Sequence, residues 1–157
     1  MMILYKTLVR PKLDYCIPVW KPYTRKDVNS LEKVQKRFTK MIHGCKSLSY
    51  KERLIKLEIT TLEDRHYRAD MIQVFKILGV NGDIFPVEFL TRNERLGRGN
   101  SKKLFKKRCR LKQTRNTFVY RVVDQWNKLP DEVIMSCDIN EFKSKLDYLM
   151  RCAGGRA

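Results

Sequence analysis

Glycine is scarce in this chain, with seven residues in 157. Gly79 and Gly82 are not part of a G-x-x-x-x-G-K-[ST] pattern, which excludes a phosphate-cradling loop of that kind. Acidic residues are also few, 17 against 34 lysines and arginines. Asp14, Asp64, Asp70, Asp83, Asp124 and Asp131 are dispersed along the chain. A polymerase or nuclease of the two-metal type needs carboxylates clustered around cations about 4 Å apart, and this spacing does not suggest one. The five cysteines, at 16, 45, 109, 137 and 152, are irregularly spaced and odd in number. That is neither a disulfide framework nor a C-x2-C metal site, and it fits a reducing compartment. His43 and Cys45 form an H-x-C pair with no further ligands at compact spacing. No apolar run approaches the roughly 18 residues of a membrane span. The residues before Lys6 offer no signal-peptide core, so a nuclear or cytoplasmic location is expected rather than secretion.

What is abundant is positive charge, a formal net +17. An excess of this size calls for a polyanion, with nucleic acid ahead of an acidic membrane surface. Hydrophobic content of 43% is enough for a packed core. Leu, Lys, Arg, Glu and Met dominate, a mixture that favours helix.

Apolar periodicity and capping signals place the helices. "MILYKTLV" reads as the end of an apolar helix, Pro11 as the first turn of another, and Pro18 as its kink or stop. Thr24, with Asp27 three residues on, opens a helix whose apolar face is Val28, Leu31, Val34, Phe38, Met41 and Ile42, with Gly44 as terminator. Ser49 and Glu52 make a capping box for a short helix with Leu54, Leu57 and Ile55. Thr60 or Thr61 caps a longer one, with Leu62, Ala69, Ile72, Phe75 and Leu78 on its apolar side. Residues 92–115 hold eleven basic residues and one acidic residue. They read as a loop or short arm in which Phe105, Cys109 and Leu111 share a face. Helices resume at Phe118, Val122 and Trp126, end at Leu129-Pro130, and finish with Phe142, Leu146 and Leu149 before a frayed "CAGGRA" tail. The expected fold is mainly α: a small helical bundle of about five to six helices with a basic loop or short β-arm near 92–115. Its organisation is 1–80 helical, 81–114 basic arm, and 115–152 a helical extension packing on the bundle.

Two basic groups stand out as candidate nucleic-acid contacts. Lys33, Lys36, Arg37 and Lys40 recur at helical spacing. Lys102, Lys103, Lys106, Lys107, Arg108, Arg110 and Lys112 form the denser cluster. Phosphate neutralisation by such side chains is independent of base sequence. The alternatives are a solvated helix face for the first, and a nuclear localisation run or unstructured arm for the second. The stretch "EDRHYRAD" brings Glu63, His66 and Asp70 to one helical side, read as a surface ion-pair face with Arg65 and Arg68 rather than a catalytic set. Tyr5, Tyr15, Trp20, Phe38, Phe75, Phe118 and Trp126 sit at core spacing and are assigned to packing, not base stacking. No catalytic residue, metal ligand or cofactor site is expected.

The stretch "LYKTLVRPKLDYCIPVWKPYTRKDVNSLEKVQKRFTKMIHG" resembles the segment after the polymerase palm in reverse transcriptases of non-long-terminal-repeat, LINE-like (jockey-type) retrotransposons. "LSYKERLIKLEITTLEDRHYRADMIQVFKIL", "RGNSKKLFKKRCRLKQTRNTFVYRVVDQWNKLPDEVI" and "FKSKLD" follow in the same order, so the resemblance covers nearly the whole chain. It implies a thumb-like bundle over 1–80 that grips a template–primer duplex, with Tyr15, Val19 and Trp20 helping to pack it. The family's F/Y-x-D-D palm motif is absent from the sequence. The resemblance therefore implies a truncated, non-enzymatic chain, without the Mg²⁺ of the intact enzyme. Its expected partner is RNA–DNA or DNA duplex, bound non-specifically. A second implied partner is a protein, meeting the apolar surface that once faced the palm. No membrane partner is expected.

Overall fold

The computed structural model describes residues 2–79, 90–91 and 101–154, with side chains given for all of these but 112, 153 and 154. The fold is mainly helical, as the composition predicts, with somewhat more helical pieces than the five or six expected. Among the described residues no helix is long and apolar enough to cross a membrane. The chain divides into two compact units, Met1–Tyr67 and Arg68–Ala157.

The first unit begins with α1 (Met2–Leu4), a π-helical stretch Tyr5–Val9, and α2 (Arg10–Asp14). Pro11 accounts for the widened turn. It has no N–H to give the carbonyl four residues back, and its ring crowds that carbonyl. The Arg10 N–H instead reaches the Tyr5 carbonyl, five residues back. Cys16 then adopts a left-handed conformation (φ 50°) and separates α2 from α3 (Ile17–Trp20). Pro18, expected from the sequence to kink or end the helix that Pro11 starts, instead lies in the first turn of α3, where a missing N–H costs nothing.

α4 (Arg25–Lys40) starts at Thr24, whose hydroxyl accepts the Asp27 N–H at 3.2 Å. α5 (Tyr50–Lys56) has the full Ser49–Glu52 capping box. Hydrogen bonding from Ser49 to the Glu52 carboxyl, its side chain first and its backbone N–H second, holds that carboxyl below its ordinary range. α6 (Leu62–Leu78) is capped by Thr61, which accepts from the Asp64 N–H at 3.1 Å. Glu58 (φ 51°) sits left-handed in the α5–α6 turn.

The face of α4 that is buried differs from the one the apolar pattern predicts. Glu32, Gln35 and Thr39 point inward, while Val34 and Met41 are exposed. The reason is a buried polar network rather than a polar void. The Tyr5 hydroxyl donates to Gln35 Oε1 at 2.5 Å. Gln35 Nε2 donates to the Tyr50 hydroxyl at 2.9 Å and to the Thr60 carbonyl at 3.0 Å. The Tyr50 hydroxyl donates to Glu32, whose other oxygen accepts the Leu62 N–H at 3.0 Å. Arg53 closes the far end, donating to Thr39 Oγ1 and to the Leu48 carbonyl. Tyr5, Ile17, Cys45 and Leu62 supply the apolar part of this core. Ile55, expected on the packed side of α5, is exposed.

The second unit contains the C-terminal half of α6 and, further along the chain, residues 101–111, a turn at 101–102 and then non-helical chain. Then come α7 (Lys112–Arg115), α8 (Phe118–Trp126), α9 (Asp131–Ile134) and α10 (Ile139–Gly154). α7 lies where a loop is expected, α9 corresponds to no helix expected from the sequence, and α10 runs into the expected frayed tail. The expected arm over 92–100 lies outside the described residues. Phe75 stacks on Phe142 at 4.3 Å, and Trp126 on Phe142 at 6.0 Å. Val122, Leu146 and Leu104 are buried as well. Two ion pairs support this packing: bidentate Arg121–Asp70, with Asp70 fully buried, and Arg68–Asp147 at 2.5 Å.

Candidate nucleic-acid interface

α4 carries the first basic group on the side opposite its buried residues. Lys33, Lys36, Arg37 and Lys40 are all exposed. At about 100° per residue, Lys33, Arg37 and Lys40 fall in one narrow stripe, which Lys26 extends by two turns. Lys26 and Lys40 lie fourteen residues apart, about 21 Å along the axis at 1.5 Å per residue. Lys36 lies to one side, its ammonium 5.1 Å from the Tyr50 ring. The residue-by-residue reading missed Lys26, although it follows the same spacing.

The second basic group is held by its backbone. Leu104 exchanges two hydrogen bonds with the Asn127 side chain, at 2.8 and 2.9 Å, so the amide of Asn127 acts as a neighbouring strand would. Trp126 Nε1 donates to the Lys102 carbonyl, and the Phe105 N–H to the Thr91 carbonyl. The Ser101 N–H and hydroxyl both donate to Asp131, which lowers that carboxyl, the backbone bond contributing most. Leu104 is thus buried among the described residues of the arm; of Phe105, Cys109 and Leu111, expected to share a face, Phe105 and Leu111 are exposed and Cys109 is half-buried.

This anchoring sorts the cations. Lys106, Lys107, Arg108 and Arg110 are exposed, and Lys106 is paired with Asp124. Lys102 and Lys103 are half-buried. Lys112 opens α7, and its side chain lies outside the described ones. The two basic groups belong to different units.

The predicted surface ion-pair face on α6 is at the surface in part: Glu63 pairs with Arg25 in the open, while the other pairs are half-buried or buried. Arg65 binds Asp14 at 2.5 Å, Asp70 is buried against Arg121, and His66 is buried with Nε2 3.2 Å from the Leu13 carbonyl. Among the described residues, no group of three or more His, Cys, Asp or Glu side chains is placed to hold a metal ion.

The α3–α4 turn also departs from expectation. Tyr15 and Val19, expected to help pack the bundle, are exposed at 74 and 84%, while Trp20 is 39% exposed. Trp20 Nε1 bonds back to the Tyr15 carbonyl, and its ring meets the buried His66 edge-on at 6.1 Å. Tyr23 is exposed at 58%. Beside it is a cleft of about 240 Å³, lined by Lys21, Pro22, Tyr23 and Arg25 of the turn, Val28 of α4, and Glu63 and His66 of α6. The aromatic count along the sequence could not locate it, because spacing alone does not tell an exposed ring from a buried one.

No family model matches this chain, and neither a curated protein nor a solved structure is significantly similar to it.

Proposed function

We propose that this chain binds nucleic acid through the phosphate backbone, without base-sequence preference and without catalysis, as a thumb-like element of the retrotransposon reverse-transcriptase kind. The observation that carries the reading is the stripe on α4: Lys26, Lys33, Arg37 and Lys40 on one helix face, in a chain of net charge +17. The exposed arm residues Lys107, Arg108 and Arg110 add to it. The test is duplex affinity against salt. Neutralising four phosphates gives a log–log slope of about −3.6, a loss of roughly 10²-fold between about 50 and 200 mM salt on B-form DNA. The triple variant Lys33→Ala, Arg37→Ala, Lys40→Ala should flatten that slope by about 2.7. An affinity unchanged over this salt range rules the reading out, and Mg²⁺-dependent primer extension rules out its non-catalytic clause.

A second reading, protein docking or self-association, draws on a different observation. Ile3, Leu4, Leu8 and Val19 are exposed close together in sequence, and exposed apolar patches mark interaction surfaces. Light scattering at high concentration separates the two: a clean monomer removes self-association, and a concentration-dependent rise in mass supports it.

A further inference from the structure

The cleft in the α3–α4 turn combines three kinds of group. Tyr23 gives an exposed flat ring beside the rigid ring of Pro22. Arg25 gives a guanidinium with its side chain 84% exposed. Glu63 gives a carboxylate 3.6 Å from Arg25 and itself mostly exposed. The buried His66 lines the cleft as well. Tyr23 lines the cleft and stays 58% exposed.

A ring, a cation and a carboxylate around one small cleft match the three parts of a nucleotide. Bases stack on exposed aromatic side chains whatever their sequence. A phosphate pairs with a guanidinium in a planar, two-pronged contact. A carboxylate accepts hydrogen bonds from a base that carries an amino group, as it does from cytosine N4. A base within a duplex has both faces stacked and its pairing edge occupied, so it cannot enter.

We propose that this cleft holds one unpaired nucleotide, its base on Tyr23, its phosphate on Arg25 and its exocyclic amino group on Glu63. This rests on the backbone-binding reading and adds a single-strand site to it. Cytosine, adenine and guanine carry the exocyclic amino group that Glu63 accepts from; thymine and uracil lack it and offer only the single ring N3–H.

The test uses the full chain and fluorescence anisotropy with oligodeoxycytidine and oligothymidine of about ten nucleotides, and a blunt DNA duplex. The parent should bind oligodeoxycytidine more tightly than oligothymidine. Tyr23→Ala should weaken oligodeoxycytidine about tenfold and leave the duplex unchanged. Tyr23→Phe should restore the parent affinity, and Glu63→Ala should narrow the preference for cytosine. Tyr23 and Glu63 are exposed, so neither substitution disturbs the core. Equal affinity of parent and Tyr23→Ala for oligodeoxycytidine, with duplex binding intact and salt-dependent, overturns the cleft alone. Absence of all binding by the parent overturns the backbone reading with it.

Discussion

Gln35 shows how far a single side chain can depart from the pattern around it. Read along the sequence it belongs to a polar stretch, "EKVQKRF", between apolar positions. In the fold it is 1% exposed and bonded to Tyr5, Tyr50 and the Thr60 carbonyl. Gln35→Leu keeps much of the volume but strands these groups, so urea denaturation should show a loss of about 3 kcal/mol. Tyr5 offers a second test. Burial, the leading cause, pushes its phenol up from 10.0 to about 12, so the folded chain holds that proton more tightly than the unfolded one. This contribution is complete below pH 10 and fades as pH rises toward 12. Unfolding midpoints of the parent and Tyr5→Phe should therefore differ near neutrality and converge across that window. The network was not legible beforehand because its members come from positions 5, 32, 35 and 50. Periodicity ranks residues by apolarity within one helix and carries no signal for polar partners elsewhere.

At the scale of elements, the starts of helices were the most readable feature. Thr24, Ser49 and Thr61 each cap the helix they precede, because a cap joins residues three apart and depends on little else. The apolar faces of α8 and α10 were also legible, since Val122, Trp126, Phe142 and Leu146 bury by ordinary helical spacing. Position-dependent residues were harder: Pro18 can stop one helix or start the next, and only the left-handed Cys16 decides between them. The arm behaves likewise, since its order comes from Asn127, more than twenty residues away. Asn127→Ala removes both bonds to Leu104, and limited trypsin digestion should then cut the Lys102–Arg110 stretch several-fold faster. The α6–α8 contact depends on Arg121 meeting a carboxylate with no exposure to water. Arg121→Ala takes the guanidinium away from a buried carboxylate, and should cost about 3 kcal/mol by urea unfolding.

At the scale of the whole molecule, charge is the governing quantity. Seventeen excess positive charges repel one another in the folded chain. Added salt screens that repulsion and screens the attraction to phosphate equally well. Thermal stability should therefore rise by a few degrees as salt increases, while duplex affinity falls. A melting temperature that drops over the same range would show that specific ion pairs, such as Arg68–Asp147, outweigh the general repulsion.

Cys16 and Glu58 both hold φ near +50°, where a side chain with a Cβ is crowded by about 1–2 kcal/mol and glycine is not. The chain, poor in glycine throughout, uses none at these two turns. They form an untapped reserve: Cys16→Gly and Glu58→Gly should each raise stability by up to about 1 kcal/mol, after the added freedom of the unfolded chain is subtracted. The first also removes an exposed thiol and its oxidation chemistry. Neither touches the stripe on α4 or the arm, so the more robust variant should bind phosphate as the parent does and withstand storage and heating longer.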